Sequence, residues 1–354
     1  MLSLPRDLGR PRTLLALGRA ALALDWQAMV YSGGLENRPA LLRRLGRRGA
    51  ILGNGPEVVE AVRDPAVLFP FLRRSGIPHP ATFPGSPGLA SGSAARLLWK
   101  PARSGGGNRI RRALPRERRP RGFYLQRSLR GAPGSASFVA GAGRAVLLGV
   151  TEQLAGCREL GGSDFRYGGN IAGPVPCLLS RDSLVVLTDA ASALARHFGL
   201  RGLFGIDFIL SAGVPHVIEI NPRYTASMEL FEDLSGASLL DAHLEAIDGG
   251  PLPSWPPPVL RFLAKGILYA TRAVRWTSRG IDEGIDVRDR PAEGESIGPG
   301  RPICTLVTPG ASTEDCRRRL FEAARLVRQA LREGGRDAAR APRRRVLAPG
   351  SMLG

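Results

Sequence analysis

The sequence has few of the residues that build disulfide or zinc frameworks, with four cysteines and four histidines in 354 residues. The cysteines show no C-x-x-C spacing, and no histidine stands near another in the chain. This spacing argues against a structural zinc or disulfide framework, and free cysteines are typical of a reducing cytoplasm. There is also no Ser-His-Asp pattern, and no cysteine has the features of a nucleophile.

Long hydrophobic runs are absent too, and none approaches the roughly 20 apolar residues that span a bilayer. The opening segment, Met1–Asp25, resembles a targeting peptide in composition, but Arg10, Arg12 and Arg19 interrupt its apolar stretches. We expect a helix there instead, with its leucines on one face. The predicted location is the cytoplasm, without a membrane partner.

Lysine occurs only at positions 100 and 265, although 50 residues are basic and the formal net charge is +19. Clustered basic residues can bind the phosphates of nucleic acids. However, the Arg111–Arg121 loop and the Leu331–Val346 tail lack the interleaved aromatic residues of a stacking surface. We therefore attribute the excess charge to arginine-biased usage and solvated surface, and we expect no specific nucleic-acid partner.

The most informative segment follows residue 202, where two apolar runs carry oxygen-bearing side chains. Runs 203–210 and 215–220 predict two strands joined by a tight hairpin turn. Residues two apart share a strand face, so Glu219 and Asn221 point the same way, and hairpin pairing brings Asp207 beside them. Two carboxylates and an amide suit Mg²⁺. The alternative is a surface hairpin with scattered acids, but carboxylates flanked by buried residues need charge compensation.

A second segment, Leu97–Ile110, predicts a strand that ends at Lys100 and is followed by a glycine loop. Glycines 105–107 allow backbone N–H groups to converge on phosphate oxygens, which side chains would obstruct. A compact ammonium kept beside this loop in a lysine-poor chain indicates a role that arginine's planar fork does not fill. A glycine loop alone is a weak signal, and a plain turn would be preferred without the downstream acids.

The lysine strand, the glycine loop, Gln126 before an apolar strand and the Asp…Glu-x-Asn-x-Arg hairpin resemble the ATP-grasp superfamily in order and spacing, over about residues 65–250. The resemblance implies an α/β (α+β) fold of the ATP-grasp type. A small N-terminal α/β pre-ATP-grasp domain would precede it, and a C-terminal β-rich extension would follow. The implied cofactors are ATP and Mg²⁺, or Mn²⁺.

The same resemblance implies roles for individual residues. Lys100 would reach the α- and β-phosphates, and Arg223 would face the transferred phosphate, both as catalytic residues. The metal ligands would be Asp207, Glu219 and Asn221. The loop that closes over the β- and γ-phosphates would be Ser104, Gly105, Gly106, Gly107 and Asn108, and the hinge whose backbone edge reads adenine would be Gln126, Arg127, Ser128 and Leu129.

Two departures from the family pattern affect the nucleotide site. Many members carry a further lysine where this chain has Arg63 before Asp64, so Arg63 is the expected substitute. A ribose-binding glutamate often follows the hinge, whereas Arg130–Ser135 contains no acid. Ribose recognition is therefore left unassigned.

The resemblance to the ATP-grasp superfamily also implies a position for the acceptor substrate, and two further segments of this chain fall there. Thr151–Gln153 is expected at the end of a strand, and Phe165–Asn170 is polar and rich in glycine. Structural turns are the alternative interpretation. The candidate substrate residues are Glu152, Arg166, Tyr167 and Asn170.

The chain divides into five predicted regions. They are the N-terminal α/β domain (1–64), the ATP-grasp domain (65–250), a proline linker (251–258), the C-terminal β-rich and helical extension (259–335) and a disordered arginine-rich tail (336–354). Within them, Pro65–Gly76, Ser183–Gly199 and Thr313–Arg332 predict helices.

The leading functional hypothesis is a ligase that phosphorylates a small-molecule carboxylate with ATP, so that an amine attacks the acyl phosphate. The chain also resembles ATP-grasp proteins of one-carbon coenzyme biosynthesis, such as that of methanofuran or tetrahydromethanopterin. Its partners would be a small carboxylate and an amine, and a homodimer is compatible with this interpretation. The alternatives are a biotin-carboxylase-like carboxylating enzyme, a small-molecule kinase, or a non-catalytic ATP-binding regulatory protein. The missing lysine and ribose acid favour the regulatory protein, and the complete Mg²⁺ set disfavours it.

Overall fold

A computed structural model describes residues 14–85, 96–114, 116–254 and 261–340. Among these residues, no helix combines the length and the apolar character that crossing a membrane requires. The helices are α1 (Leu14–Ala23), α2 (Pro39–Gly46), α3 (Pro56–Arg63), α4 (Pro65–Arg74), α5 (Val175–Leu178), α6 (Arg181–Phe198), α7 (Met228–Ser235), α8 (Leu239–Ile247) and α9 (Thr313–Arg340). The strands are β1 (Ala28–Met29), β2 (Ala50–Ile51), β3 (Thr82–Phe83), β4 (Leu97–Pro101), β5 (Arg111–Arg112), β6 (Phe123–Arg127), β7 (Ala132–Gly141), β8 (Arg144–Ala155), β9 (Tyr167–Ala172), β10 (Gly202–Ser211), β11 (Val214–Asn221), β12 (Phe262–Tyr269), β13 (Val274–Arg275), β14 (Asp286–Arg288), β15 (Ser296–Ile297) and β16 (Pro302–Gly310).

Eight antiparallel strands form the main sheet, in the order β11-β10-β7-β8-β9-β12-β16-β14. Helix α6 covers part of it and buries Leu187 and Leu194 in the same core as Phe138 and Phe204. The helix begins after Ser180, whose hydroxyl accepts a hydrogen bond from a backbone N–H of the first turn. It ends at a glycine in the left-handed conformation, as the sequence predicts.

The C-terminal strands extend the same sheet. Strand β12 pairs with β9, placing Lys265 opposite Asn170, and β16 pairs with β12 on the other side. Helix α9 buries Leu320 and Val327 against this part of the sheet. The described chain therefore joins the predicted extension to the ATP-grasp strands through backbone hydrogen bonds.

The predicted tail requires a correction at its start. Helix α9 continues to Arg340 and passes through Gly334 and Gly335, so residues 336–340 are helical and not disordered. Most of the predicted proline linker, and the tail after Arg340, lie outside the described residues.

A four-stranded antiparallel sheet, which we call the small sheet, has the order β3-β6-β4-β5. Leu97, Trp99 and Leu125 form its apolar core. Because Lys100 and Gln126 lie on neighbouring strands of this sheet, it positions both side chains. In the N-terminal segment, β1 and β2 form a separate two-stranded parallel sheet beside α2 and α3.

Candidate functional site

The hairpin of β10 and β11 forms one wall of the site. A two-residue turn with positive φ at Ala212 and Gly213 joins the strands, and the register sets Asp207 opposite Glu219. Asn221 donates its side-chain amide to Asp207 Oδ2 at 3.0 Å. The expected grouping of these three oxygen-bearing side chains therefore occurs in the structure.

The two carboxylates of this wall are electrostatically different. Burial raises the pKa of Asp207, and the neighbouring charge of Glu219 raises it further. For Glu219, burial also disfavours the charged form, but the charges of Arg63 and Lys100 outweigh it and lower the pKa. Two partly buried carboxylates facing each other make a position at which a divalent cation would be stabilised.

Lys100 supplies an ammonium group from the small sheet. Only 6% of Lys100 is exposed, and its Nζ donates to Gln126 Oε1 at 3.0 Å and to the Ile218 carbonyl at 3.4 Å. The other lysine, Lys265, is also buried but forms an ion pair with Glu229. Among the described residues, no carboxylate lies within ion-pair distance of Lys100. Its charge is thus held by neutral acceptors and is suited to an anionic ligand.

Two clefts meet at Lys100. The first, which we call the phosphate cleft, encloses about 460 Å³, part of it open to solvent, and is lined by the glycine loop and Glu219. The second, the hinge cleft, contains Gln126 together with apolar side chains, and its other lining residues include Leu98, Arg127, Ser128, Leu129, Ile209 and Ile218. The predicted hinge and loop residues therefore line adjoining spaces.

The backbone of the hinge is less open than the prediction supposed. Arg127 N donates to the Ala81 carbonyl at 2.8 Å, and Ser128 N donates to the Arg96 carbonyl at 2.7 Å. These two donors are already satisfied within the protein. They are therefore not available to a base.

The glycine loop lies close to the start of β9. Tyr167 N donates to the Gly106 carbonyl at 3.0 Å. Gly107 has φ +71°, and a Cβ there would lie 1.7 Å from the Phe165 carbonyl oxygen. Only glycine accommodates both the left-handed conformation and this close approach.

Arg63, the expected substitute for the missing lysine, joins the site to the N-terminal segment. It pairs with Glu219, and its Nη2 donates to the Ser104 carbonyl at 2.5 Å and to Asn37 Oδ1 at 3.1 Å. Its Nε is buried without a hydrogen-bond partner. A buried donor without a partner is suited to an acceptor supplied by a ligand.

Arg223 meets a carboxylate that sequence reasoning missed. Glu36, 3% exposed, accepts from Arg223 Nε at 2.8 Å and pairs with Nη2 at 2.7 Å. Gly34 N also donates to Glu36 at 2.5 Å. The two paired residues lie 187 positions apart in the sequence. No local pattern around Glu36 signals such a contact; the nearby glycines only indicate a turn.

The candidate substrate residues divide between the two faces of the main sheet. Tyr167 donates to Asn170, whose amide donates to Thr151 Oγ1 at 2.8 Å, and Gln153 Nε2 donates to Asp207 at 2.9 Å. Gln153 lies directly opposite Asn170, so these side chains share the face of Asp207. Gln153 was not among the predicted residues. Gln153 lies among alternating apolar and polar residues of β8, and nothing in that pattern distinguishes it as a functional residue.

The structure separates Glu152 from the other candidate substrate residues, and Arg166 makes contacts of its own. Glu152 points to the opposite face, where Arg317 pairs with it, because successive strand residues alternate. Arg166 donates to the Gly300 carbonyl at 2.7 Å and stacks 3.7 Å from the Tyr269 ring centroid. The predicted strand end is also wrong, since β8 runs to Ala155, and Tyr167–Asn170 is a strand and not a turn.

Comparison with known proteins identifies the fold. Residues 63–227 match the family model described as an ATP-grasp domain. The biotin carboxylase domain of 2-oxoglutarate carboxylase from Hydrogenobacter thermophilus, solved with MgADP and bicarbonate, has a TM-score of 0.66 at 18% identity, covering 87% of this chain and 75% of that one. An L-amino acid ligase from Bacillus licheniformis has a TM-score of 0.61 at 16% identity, covering 81% and 76%.

Residues 63–227 are thus similar to an ATP-grasp domain, and the fold of the chain is similar to the folds of these two solved enzymes. Among curated proteins, it is 24% identical over 322 residues to the carbamoyl phosphate synthase large chain of Kineococcus radiotolerans. That alignment covers 78% of this chain but 29% of the relative, and a second large chain, from Beutenbergia cavernae, is covered to 16%. The chain thus spans less than a third of the length of these curated relatives.

Proposed function

We propose that this protein is an ATP- and Mg²⁺-dependent ligase that joins a small-molecule carboxylate to an amine. The observation that carries the proposal is the position of Lys100, a buried ammonium between the phosphate cleft and the hinge cleft, with no carboxylate of the described residues within ion-pair distance. The named relatives include an amino acid ligase and carbamoyl phosphate synthases, which supports the class of reaction.

The hairpin wall fits a magnesium nucleotide. Asp207, Glu219 and Asn221 offer hard oxygen ligands, and Mg²⁺ usually takes few protein ligands with phosphate oxygens and water completing its coordination. When bound, the metal nucleotide supplies the transferable phosphoryl group and neutralises part of its charge. The residues named here would hold it in place.

The other residues would bind and orient. Lys100 and Arg63 Nε would face phosphate oxygens, and the backbone of Gly105–Gly107 would cover them. Arg223 would stabilise negative charge on the phosphoryl group as it reaches the substrate carboxylate. Tyr167 and Asn170, on the same sheet face, would contact the acceptor. Catalysis would then depend on positioning and electrostatics, without a side-chain nucleophile.

The test is Mg²⁺-dependent ADP release over pooled carboxylic acids, amines and bicarbonate. We expect release that requires one acid and one amine. Glu219→Ala and Lys100→Ala should each lower turnover by about 10²–10³-fold, whereas Glu245→Ala, at an exposed position of α8, serves as the control. Near-normal turnover in either site variant would contradict the assignment.

The same assay separates the other candidate functions. Release that requires bicarbonate would indicate a carboxylating enzyme, and a stable phosphorylated product would indicate a kinase. ATP binding without release in any pool would indicate a regulatory protein. The narrower role in methanofuran or tetrahydromethanopterin biosynthesis rests on sequence resemblance and stays a prediction, as do cytoplasmic location and a homodimer.

A further inference from the structure

The positive charge of the chain is concentrated in one region. Residues 96–130 contain twelve basic residues and one acid, a net charge of +11, while the other 319 residues carry the remaining +8. All eleven arginines of this stretch are exposed. General arginine usage, the explanation expected from the sequence, does not account for this distribution. The stretch contains β4, β5 and β6 of the small sheet.

We propose that the arginine-rich surface of the small sheet binds an acidic polypeptide, meaning a segment dense in carboxylates. Like charges crowded at one surface repel one another, and a polyanion relieves that repulsion. Arginine's planar fork matches a carboxylate in a bidentate manner. The surface consists of the six exposed arginines within residues 111–121, none of which lines either cleft, and the proposal does not depend on the proposed ligase activity.

The surface already holds one carboxylate of its own. Glu117 pairs with Arg111 and also accepts from Trp99 Nε1 at 2.9 Å and from Leu114 N at 3.1 Å. Hydrogen bonding by Arg111 is the main cause that lowers the pKa of Glu117 to about 2. This internal pair shows how the surface accepts a carboxylate.

Apolar groups beside the arginines favour a polypeptide over a nucleic acid. Leu114 is 62% exposed, and Phe83, on β3 of the same sheet, is 38% exposed. Protein interfaces combine arginine with apolar anchors of this kind. Base stacking instead needs open aromatic faces. The ring of Phe123 has the Arg109 guanidinium 5.5 Å from its centroid, so the charged group occupies that face.

The surface is next to the entrance of the phosphate cleft. The glycine loop that lines the cleft leads directly into Arg109 and β5. A polypeptide bound here would therefore present its carboxylates close to the cleft. This placement fits a partner or substrate that extends beyond the cleft itself.

The experiment compares two polyanions on the full chain. Fluorescence anisotropy would measure binding of labelled poly-L-glutamate and of a labelled single-stranded oligonucleotide of the same length, at low and at physiological salt. The test variant carries Arg116→Glu, Arg118→Glu and Arg121→Glu. The control carries Arg272→Glu, Arg275→Glu and Arg301→Glu, which change the charge equally at exposed positions of the C-terminal segment.

We expect the peptide to bind the unaltered protein and the control alike, and to bind the test variant at least roughly tenfold more weakly. A tighter complex with the oligonucleotide than with the peptide would overturn the proposal in favour of nucleic acid. Equal losses in both variants, or no peptide binding at low salt, would overturn it as well. If the test variant fails to fold, the triple Gln variant at the same positions replaces it, and its affinity must still fall.

Discussion

Two groups of residues, which we call the hairpin wall and the N-terminal wall of the candidate site, are built in different ways. The hairpin wall consists of Asp207, Glu219 and Asn221, which a tight turn and strand register bring together within 14 positions of sequence. The N-terminal wall consists of Glu36 and Arg63, which reach their partners across 187 and 156 positions of sequence. The first wall follows from local geometry, whereas the second depends on how a separate segment docks.

That docking is polar and specific. Asn54 donates to the carbonyls of Arg201 at 3.0 Å and Pro222 at 3.1 Å, and Tyr31 donates to the Asn54 carbonyl at 2.7 Å. These bonds hold the N-terminal segment against the end of the hairpin. We therefore expect changes in the hairpin wall to affect activity alone, and changes in the N-terminal wall to affect stability also.

The largest effect on activity is expected from Asp207→Asn. The change removes one of two facing carboxylates, and turnover should fall by about 10²–10³-fold because a charged ligand of the metal nucleotide is lost. The free energy of unfolding should stay equal or rise, since one buried like charge disappears. ADP release and urea unfolding measure the two quantities. Asp189→Asn, exposed on α6, is the control. A clear loss of stability in Asp207→Asn would contradict the expectation that changes in the hairpin wall affect activity alone.

Arg63→Ala, on the N-terminal wall, should lower the stability of the protein, unlike Asp207→Asn. It leaves the partly buried Glu219 without its ion-pair partner and removes the bonds to Asn37 and Ser104. The free energy of unfolding should fall by about 3 kcal/mol. Arg63→Lys keeps the charge and should recover part of the loss. Unaltered stability in Arg63→Ala would mean that the docking does not depend on this residue.

The contrast between the walls also explains what the sequence could predict. Strand period and a hairpin turn are local, so the pairing of Asp207 with Glu219 was predictable. The contact between Glu36 and Arg223 is not local, and no spacing encodes it. The same limit applies to Gln153, which meets Asp207 only because β7 lies between β8 and β10 in the sheet.

Strand alternation also shows where the site prediction went wrong. The charge of Glu152 and its position in the sequence favoured it as a substrate residue. Its strand neighbours Thr151 and Gln153, however, lie on the face of the sheet that carries Asn170 and Asp207. A one-residue difference reverses the face of a strand residue. Without the pairing partners, the sequence of β8 does not indicate which of its alternating faces meets the cleft.

Glu36→Gln should have a moderate effect on the N-terminal wall. Glutamine can still accept from Arg223 but no longer neutralises it, so the guanidinium should lose its fixed position. We expect kcat to fall about tenfold, which corresponds to about 1.4 kcal/mol, the scale of a hydrogen bond to a charged group. The KM for ATP should change little, because the nucleotide contacts lie elsewhere. Glu57→Gln, on the exposed part of α3, is the control; a rise in KM alone would argue against a positioning role for Glu36.

The smallest effect is expected from the pH response of His243, which links the N-terminal segment to β10. Its Nδ1 accepts from Leu203 N at 2.9 Å, so Nε2 carries the proton and donates to the Leu52 carbonyl at 2.9 Å. Burial lowers the pKa of His243, although the bond to Leu52 opposes this. If Nδ1 were protonated, its N–H would face the N–H of Leu203, and no acceptor would lie between these two donors.

Because the folded-state pKa lies below the unfolded value of 6.5, the unfolded chain binds more protons as the solution becomes acidic. The free energy of unfolding should therefore fall as pH drops below that value. Urea unfolding at several pH values should show a weaker fall in His243→Gln than in the unaltered protein, and His216→Gln serves as the matched control substitution. Equal slopes in all three proteins would remove His243 from the contacts that hold the N-terminal wall in place.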